Sequence, residues 1–247
     1  MTAKEDCSEI EIDIVYEQRG IVVFNKPPGL LTQGPRGIDS LENRAKRFLR
    51  QRDDLGKKFY FTAIHRLDRP VSGLVAFARN VRAAQRVSAQ FQQGTVSKTY
   101  VAILEHELQP AAGTLTDHMR KIPDEAKSEI VASDHPDAKH AALEYKTIRQ
   151  DNVSRVTINL LTGRTHQIRL QFATRGHPIL GDTLYGSTTE FGPQVDDLRK
   201  RQIALHSWKL RFRHPIDDED VDLTLPPPSA WDRWLDGTEL PDPEAPI

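Results

Sequence analysis

A carboxylate flanked by two arginines stands at the mouth of an apolar run in Ile64-His65-Arg66-Leu67-Asp68-Arg69-Pro70-Val71-Ser72-Gly73-Leu74-Val75-Ala76-Phe77-Ala78. The run from Leu74 to Ala78 is short, apolar and bounded by Gly73, which predicts a buried strand. Asp68 then lies on the loop leading into that strand, and loops held on a rigid sheet are where reactive groups concentrate. A lone carboxylate beside arginine has a lowered pKa and stays charged at neutral pH. That state suits a nucleophile or a stabiliser of positive charge better than a general acid. Taken alone, the same pattern is more often a structural ion pair or a turn residue.

Two later segments add weight. Ser97-Lys98-Thr99-Tyr100-Val101-Ala102-Ile103-Leu104 alternates and is rich in β-formers, which predicts a strand with Lys98 and Tyr100 on one face. In Leu160-Leu161-Thr162-Gly163-Arg164-Thr165-His166-Gln167-Ile168-Arg169-Leu170-Gln171-Phe172-Ala173, a strand over 153–161 ends at Gly163. A helix follows from near Thr165, with Ile168 and Phe172 on its buried side and Arg169 close to the turn. The turn-rich Gly176-His177-Pro178-Ile179-Leu180-Gly181-Asp182-Thr183-Leu184-Tyr185-Gly186 comes next.

These segments, in this order, closely resemble the RluA family of pseudouridine synthases. The first is similar to its His-Arg-Leu-Asp signature with the Ser-Gly-Leu that follows, and the second to its Lys-x-Tyr strand. The third is similar to its Gly-Arg-x-His-Gln-Ile-Arg and Gly-His-Pro-Ile-x-Gly-Asp-x-x-Tyr-Gly. Val22-Val23-Phe24-Asn25-Lys26-Pro27-Pro28-Gly29-Leu30 extends the likeness upstream, so that it covers residues 12 to 225. Val71 stands where Thr is common and Gln171 where His is common, departures that bear on substrate choice rather than on the expected chemistry.

The elements that must position these groups are strand-rich. Strands are expected at 21–25, 59–63, 97–104, near 113–118, near 128–132, and at 141–149 and 206–213, with 221–225 pairing the last. Ser40 to Arg52 reads as an amphipathic helix with Leu41, Ala45, Phe48 and Leu49 inward. Asn80 is an N-cap for a helix through Gln93, with Gly94 as its stop. Few helices and hairpin-length connections predict an α+β fold: a mainly antiparallel mixed sheet with flanking helices. The resemblance adds a central catalytic cleft. Residues 12–235 form the expected catalytic domain, between an acidic N-terminal tail (1–11) and a Pro- and acid-rich tail (236–247) expected to be disordered. Trp231 and Trp234 are expected to dock a short helix on the body. Many members of the family carry a small S4 RNA-binding domain, and none is expected before the first strand here.

Composition narrows the function classes. The single cysteine, Cys7, allows neither an intramolecular disulfide nor a cysteine-based zinc motif and points to a reducing, cytoplasmic setting. No apolar run approaches a membrane span, and the acidic N-terminus does not read as a targeting signal. The net charge of −1 hides an asymmetry: residues 217–247 hold ten acids and one base, residues 1–19 six acids and two bases, and the remainder 31 bases against 19 acids. A basic body can bind a polyanion, although an ordinary solvated surface has the same look. The arginines of the 40–52 helix, Arg44, Arg47 and Arg50, are candidates for RNA backbone contact. They form a cluster with Arg36, Lys46, Arg52, Lys57 and Lys58.

What the resemblance implies for chemistry can be written residue by residue. Pseudouridine formation breaks the N1–C1′ bond of uridine, turns the base and joins C5 to C1′, which requires no cofactor. Cleavage builds positive charge on the sugar, and a carboxylate beside C1′ stabilises or captures it. Asp68 is the candidate, whether it attacks C1′ or assists loss of the C2′ proton. Arg169 is expected to hold Asp68 through a bidentate pair, and Tyr100 to lie against the uracil. A stacked uridine must be flipped or already lie in a loop, and Arg66 is expected to fill or grip the vacated space. Leu170 is expected to wall the uracil pocket, a plain core role being the alternative. Lys98 stays outside the catalytic set. His65, His166 and His177 lack a metal-binding arrangement, so no metal is expected. The expected partner is ribosomal or transfer RNA, and the expected state a monomer. A non-catalytic RNA-binding protein and a hydrolase releasing free base are the competing readings.

Overall fold

In the computed structural model, residues 12–35, 37–56, 58–235, 237 and 240 are described. In chain order the elements are β1 (Ile14–Gln18), β2 (Ile21–Lys26), α1 (Leu41–Arg52), β3 (Thr62–Ala63), β4 (Ser72–Ala78), α2 (Val81–Gln93), β5 (Ser97–Glu105), β6 (Ala112–Lys121), β7 (Ser128–Ile130), β8 (Lys139–Gln150), β9 (Val153–Leu160), α3 (Gln167–Ala173), β10 (Leu205–Arg213), β11 (Asp220–Thr224) and α4 (Asp232–Leu235). The strands form one sheet in the order β1-β2-β4-β10-β5-β9-β8-β6-β7, with β3 on β4 and β11 on β10. The pairing of β4 with β10 is parallel, and the other named pairings are antiparallel. The expected mainly antiparallel α+β architecture is therefore the one observed.

The β2–β4 half explains its own sequence. One face of these strands packs Val22, Phe24, Val75 and Phe77 with Leu41, Ala45 and Leu49 of α1. The other packs Ile21, Val23, Leu74, Ala76 and Ala78 with Ala83, Ala84 and Val87 of α2. Covered on both sides, the strands need continuous apolar runs rather than alternation. Each helix starts on a side-chain cap: the Ser40 hydroxyl accepts from Asn43 N–H, and the Asn80 carbonyl from Ala83 N–H. Gly94 ends α2 in the left-handed region at φ 72°.

Gly73 permits the parallel seam. It lies at φ +113° opposite Ser207, and a Cβ there would sit 2.3 Å from the Ser207 carbonyl oxygen. No other side chain allows β4 and β10 to approach so closely.

The structure departs from expectation in three places. The strand expected over 59–63 shrinks to Thr62–Ala63. The preceding Phe59 and Phe61 instead form an aromatic cluster, with Phe61 stacked on Phe77 at 4.9 Å. Strand β1 was not foreseen; it pairs antiparallel with β2. Helix α3 is buried on all sides, including Gln167, Arg169 and Gln171, rather than along one stripe. At the C-terminal end Trp231 docks edge-on against Phe191 at 5.3 Å, as expected of that segment. The expected tails at 1–11 and 236–247 lie outside the described residues, Gly237 and Leu240 apart.

Candidate active site

The Asp68 loop is stapled to the segment after β2. The Thr32 hydroxyl donates to the Leu67 carbonyl at 2.9 Å and accepts from Leu67 N–H at 3.1 Å. The ammonium of Lys26, fully buried, donates to the carbonyls of Pro27 (2.9 Å), Leu30 (2.7 Å) and Arg69 (3.2 Å). Burial pulls the Lys26 pKa down to about 7, against the opposing pull of the Asp68 charge. Arg69 closes the staple by donating to the Gly29 carbonyl at 2.9 Å. Asp68 is thus presented by a loop whose backbone is pinned on both sides.

The opposing wall is the turn from β9 into α3. Gln167 organises it: its carbonyl oxygen accepts from the Thr162 hydroxyl (2.7 Å) and Arg164 N–H (3.0 Å). Its amide donates to the Ala142 carbonyl (3.1 Å) and the Gln171 side chain (3.0 Å). These bonds account for a glutamine with no exposed edge. They set Arg169 facing Asp68, 101 residues away in sequence, with Nη1 donating to Asp68 Oδ2 at 3.2 Å.

The expected bidentate pair is real but its partner is different. Arg169 Nε and Nη2 grip Asp182 at 2.6 and 2.8 Å, and Asp68 receives a single N–H. A buried guanidinium must satisfy every edge, and the carboxylate with 2% exposed side chain takes the fork while the one with 27% takes what remains. Burial alone would lower the Arg169 pKa; the hydrogen bonds and charge of Asp182, with Asp68 behind them, outweigh it and push it up. The Tyr185 ring lies 5.1 Å from the same guanidinium.

His166 joins this group. Its Nδ1 is 2.9 Å from the Tyr185 hydroxyl and its Nε2 3.7 Å from Asp68 Oδ2. Its backbone is left-handed at φ 55°, a conformation a histidine seldom adopts. Burial holds its pKa below the usual histidine value, partly offset by Asp68.

Tyr100 sits on β5 between Ser207 of β10 and Ile158 of β9, lining the same cleft as Asp68. Burial raises its pKa, a hydrogen bond from Ser207 opposes the rise, and the Asp68 charge adds to it. Tyr100 is therefore a weaker acid than a free tyrosine, and less of it is ionised at neutral pH. Lys98, from the same strand face, lies 5.7 Å from the Phe91 ring centroid.

The cleft encloses about 1030 Å³, and its lining includes Arg66, Asp68, Tyr100, Arg164, His166 and Arg169. Arg66 is exposed on its wall. Leu170 is not part of that lining: it packs with Met119 and Ala141, the core role that stood as the alternative. Helix α1 also stands back from the lining, linked to it through Gln33, which donates to Glu42 at 3.1 Å. Of its candidate arginines, Arg44 is held by Asp39, Arg50 lies 5.9 Å from the Phe59 ring centroid, and Arg47 is exposed. Arg36 and Lys57 of that cluster lie outside the described residues.

Among the other histidines, His65 accepts the Ala76 N–H at 3.1 Å and stacks on Phe91 at 5.0 Å. His177 Nδ1 lies 3.2 Å from the Glu105 carbonyl. Among the described residues no group of three or more His, Cys, Asp or Glu is arranged to hold a metal ion. Asp182, His166 and Tyr185 were quoted in the sequence motifs without a role, and the signal that would have singled out Asp182 is its burial, which sequence does not display.

Comparison with known proteins decides the family. A family profile described as RNA pseudouridylate synthase matches residues 20–174. The chain belongs to that family. This synthase is 28% identical to a ribosomal large subunit pseudouridine synthase C of Vibrio parahaemolyticus, over 93% of this chain and 70% of the relative. It is 28% identical to a tRNA pseudouridine synthase C of the same organism, over 90% of this chain and 93% of the relative. Among solved structures, the human RNA pseudouridylate synthase domain containing 1 superposes with a TM-score of 0.68 at 27% identity, covering 90% of this synthase and 86% of that chain. The likeness to RluA-type enzymes read from the motifs is thereby supported across most of the chain. The synthase is an isomerase acting on RNA.

Proposed function

We propose that this synthase converts uridine in structured RNA, ribosomal or transfer RNA or both, to pseudouridine with Asp68 as the group that meets the anomeric carbon. One observation carries the reading: an aspartate lining the cleft is held through one carboxylate oxygen by an arginine whose other edge is locked on a second, buried carboxylate. Such a carboxylate arrives pre-aimed, so little reorganisation is left for the reaction.

In this reading the extruded uridine enters the cleft with C1′ toward Asp68. As the N1–C1′ bond breaks, the carboxylate stabilises the oxocarbenium-like sugar, by adding to C1′ or by taking the C2′ proton. The freed uracil keeps the bonding electrons, turns, and joins C5 to C1′, as the bond between Asp68 and C1′ breaks in the first case or the proton returns to C2′ in the second. The C5 proton leaves and N1 gains one, so no electron or atom is lost. Tyr100 packs against the base and, with its raised pKa, serves as a surface rather than as an unaided proton acceptor. Arg66, exposed on the cleft wall, grips the flipped nucleotide or fills its place. Arg44, Arg47 and Arg50 contribute outlying phosphate contacts. The synthase works as a monomer in the cytoplasm. Among the described residues no helix is long and apolar enough to cross a membrane.

The test is Asp68→Asn. Pseudouridine formation on a cognate transcript should vanish while RNA affinity persists, and no free uracil should appear with the parent enzyme. Full activity in the variant removes Asp68 from the mechanism. Mapping pseudouridines in total RNA from cells with and without the gene identifies the transcript and position.

A further inference from the structure

We propose that His166 is a positioning residue that holds Asp68 by its Oδ2 atom, through the Nε2–H tautomer selected by Tyr185, and so turns Oδ1 toward the sugar. The inference rests on Asp68 as the reacting group.

The hydrogen-bond network assigns the tautomer. The Ser128 N–H donates to the Tyr185 oxygen at 2.9 Å, which occupies an acceptor position of that hydroxyl. The hydroxyl proton then has two possible acceptors, His166 Nδ1 at 2.9 Å and the Ser128 carbonyl at 3.4 Å. The nearer contact has the better hydrogen-bond distance. With Tyr185 donating to Nδ1, that nitrogen carries a lone pair, and a neutral imidazole must bear its proton on Nε2. Nε2 is the nitrogen facing Asp68, 3.7 Å from Oδ2. That separation is too long for a hydrogen bond in the free enzyme, and contacts of this kind tighten when substrate closes the site.

Arg169 addresses the same oxygen, with Nη1 at 3.2 Å from Oδ2. Both donors therefore approach Asp68 from one side, which distinguishes the two carboxylate oxygens: Oδ2 faces the protein donors and Oδ1 is left for substrate. Two further features point the same way. His166 holds its place in a left-handed conformation at φ 55° immediately before α3, and strain of this sort is retained where the surroundings over-determine a functional geometry. The anchoring also continues behind it, because the Ser128 hydroxyl donates to the Thr165 carbonyl at 2.9 Å, bracing the residue next to His166 with the residue that holds Tyr185. The charged and titratable groups around the imidazole are Asp68, Arg169, Asp182, Lys121 and Tyr185. Burial holds His166 neutral at pH 7, the state the network requires.

The test joins spectroscopy and kinetics. In protein with ¹⁵N-labelled histidine, the resonances missing from His166→Gln identify His166, and at neutral pH its Nε2 should be protonated and its Nδ1 bare. Tyr185→Phe keeps the ring beside Arg169 but removes the hydroxyl; it should shift the tautomer toward Nδ1–H and lower kcat with KM for RNA unchanged. His166→Ala should lower kcat by about 10²-fold, the scale of a small misplacement of a reacting group, again with KM held. His166→Gln, whose amide carries an N–H near the Nε2 position, should recover most of that loss. An Nδ1–H tautomer in the parent enzyme, or Tyr185→Phe with parent kcat and tautomer, overturns the inference. Parent kcat in His166→Ala, while Asp68→Asn is dead, overturns it too and leaves the proposed function standing. Activity in Asp68→Asn instead defeats the proposed function itself.

Discussion

Replacing Asp182 by asparagine removes one charge from the most deeply buried ion pair of the site and changes almost nothing in shape. The Arg169 and Asp182 side chains are 5% and 2% exposed, and two hydrogen bonds of 2.6 and 2.8 Å join them. Removing one partner of a buried pair costs about 3–5 kcal/mol, because the other charge stays behind without compensation. Asparagine keeps one acceptor oxygen, and Asp68 remains at 3.2 Å as a counter-charge, so the low end, about 3 kcal/mol, applies. For a chain of this size each kcal/mol moves Tm by roughly 2–4 °C, which gives a fall of about 6–12 °C. The amide also turns an N–H against the guanidinium, so Arg169 pivots off its fork and carries Asp68 with it. A displacement near an ångström lowers kcat by about 10²-fold. Urea unfolding with an unchanged m value measures the first effect, and single-turnover pseudouridine formation at saturating enzyme measures the second. A variant within about 2 °C of the parent Tm and with parent turnover would show that Asp182 is not the anchor of Arg169.

Gly73→Ala drives a Cβ to 2.3 Å from the Ser207 carbonyl; with overpacking and φ strain together it should cost roughly 3–5 kcal/mol, and a parent-like urea midpoint would refute the close-approach argument. Acid sensitivity should follow from two histidines whose pKa values burial depresses, His65 to about 3 and His206 to about 4. Between those values and the ordinary histidine pKa the unfolded chain binds more protons, so stability falls as pH falls. From pH 6.5 to 5 the two together remove about 3 kcal/mol, and His65→Gln should roughly halve that slope in denaturant titrations. Replacing Arg44, Arg47 and Arg50 by alanine should flatten the salt dependence of RNA binding by somewhat less than about 2 in log–log slope, since Asp39 already holds Arg44. An unchanged slope would place the RNA elsewhere.

How far the chain could be read depended on whether the information was local. Helices α1 and α2 were legible to within a residue because Ser40, Asn80 and Gly94 are local stop and start signals. Strand β4 was legible from Leu74 to Ala78 because a short apolar run bounded by Gly73 reads as a buried strand, and the structure extends it back to Ser72. Asp68, Tyr100 and Arg169 were singled out through their motifs, and all three line one cleft. The environment of α3 was not legible. Gln167, Arg169 and Gln171 look like solvent-facing positions in a helical pattern, and their burial depends on partners at Thr162, Asp182 and Asp117. For the same reason Leu170 passed for a pocket wall, although Met119 and Ala141 from strands far upstream cover it.

The place of β10 in the sheet has a consequence for biosynthesis. Residues 205–213 fill the slot between β4 and β5, so the last long strand to be made is the one that joins the two halves of the molecule. Asp68 belongs to the first half, and Tyr100 and Arg169 to the second. A partial product ending before that strand lacks the element that joins the half carrying Asp68 to the half carrying Tyr100 and Arg169. The joining of the two halves therefore waits for a late segment, and until then the sheet is open between β4 and β5.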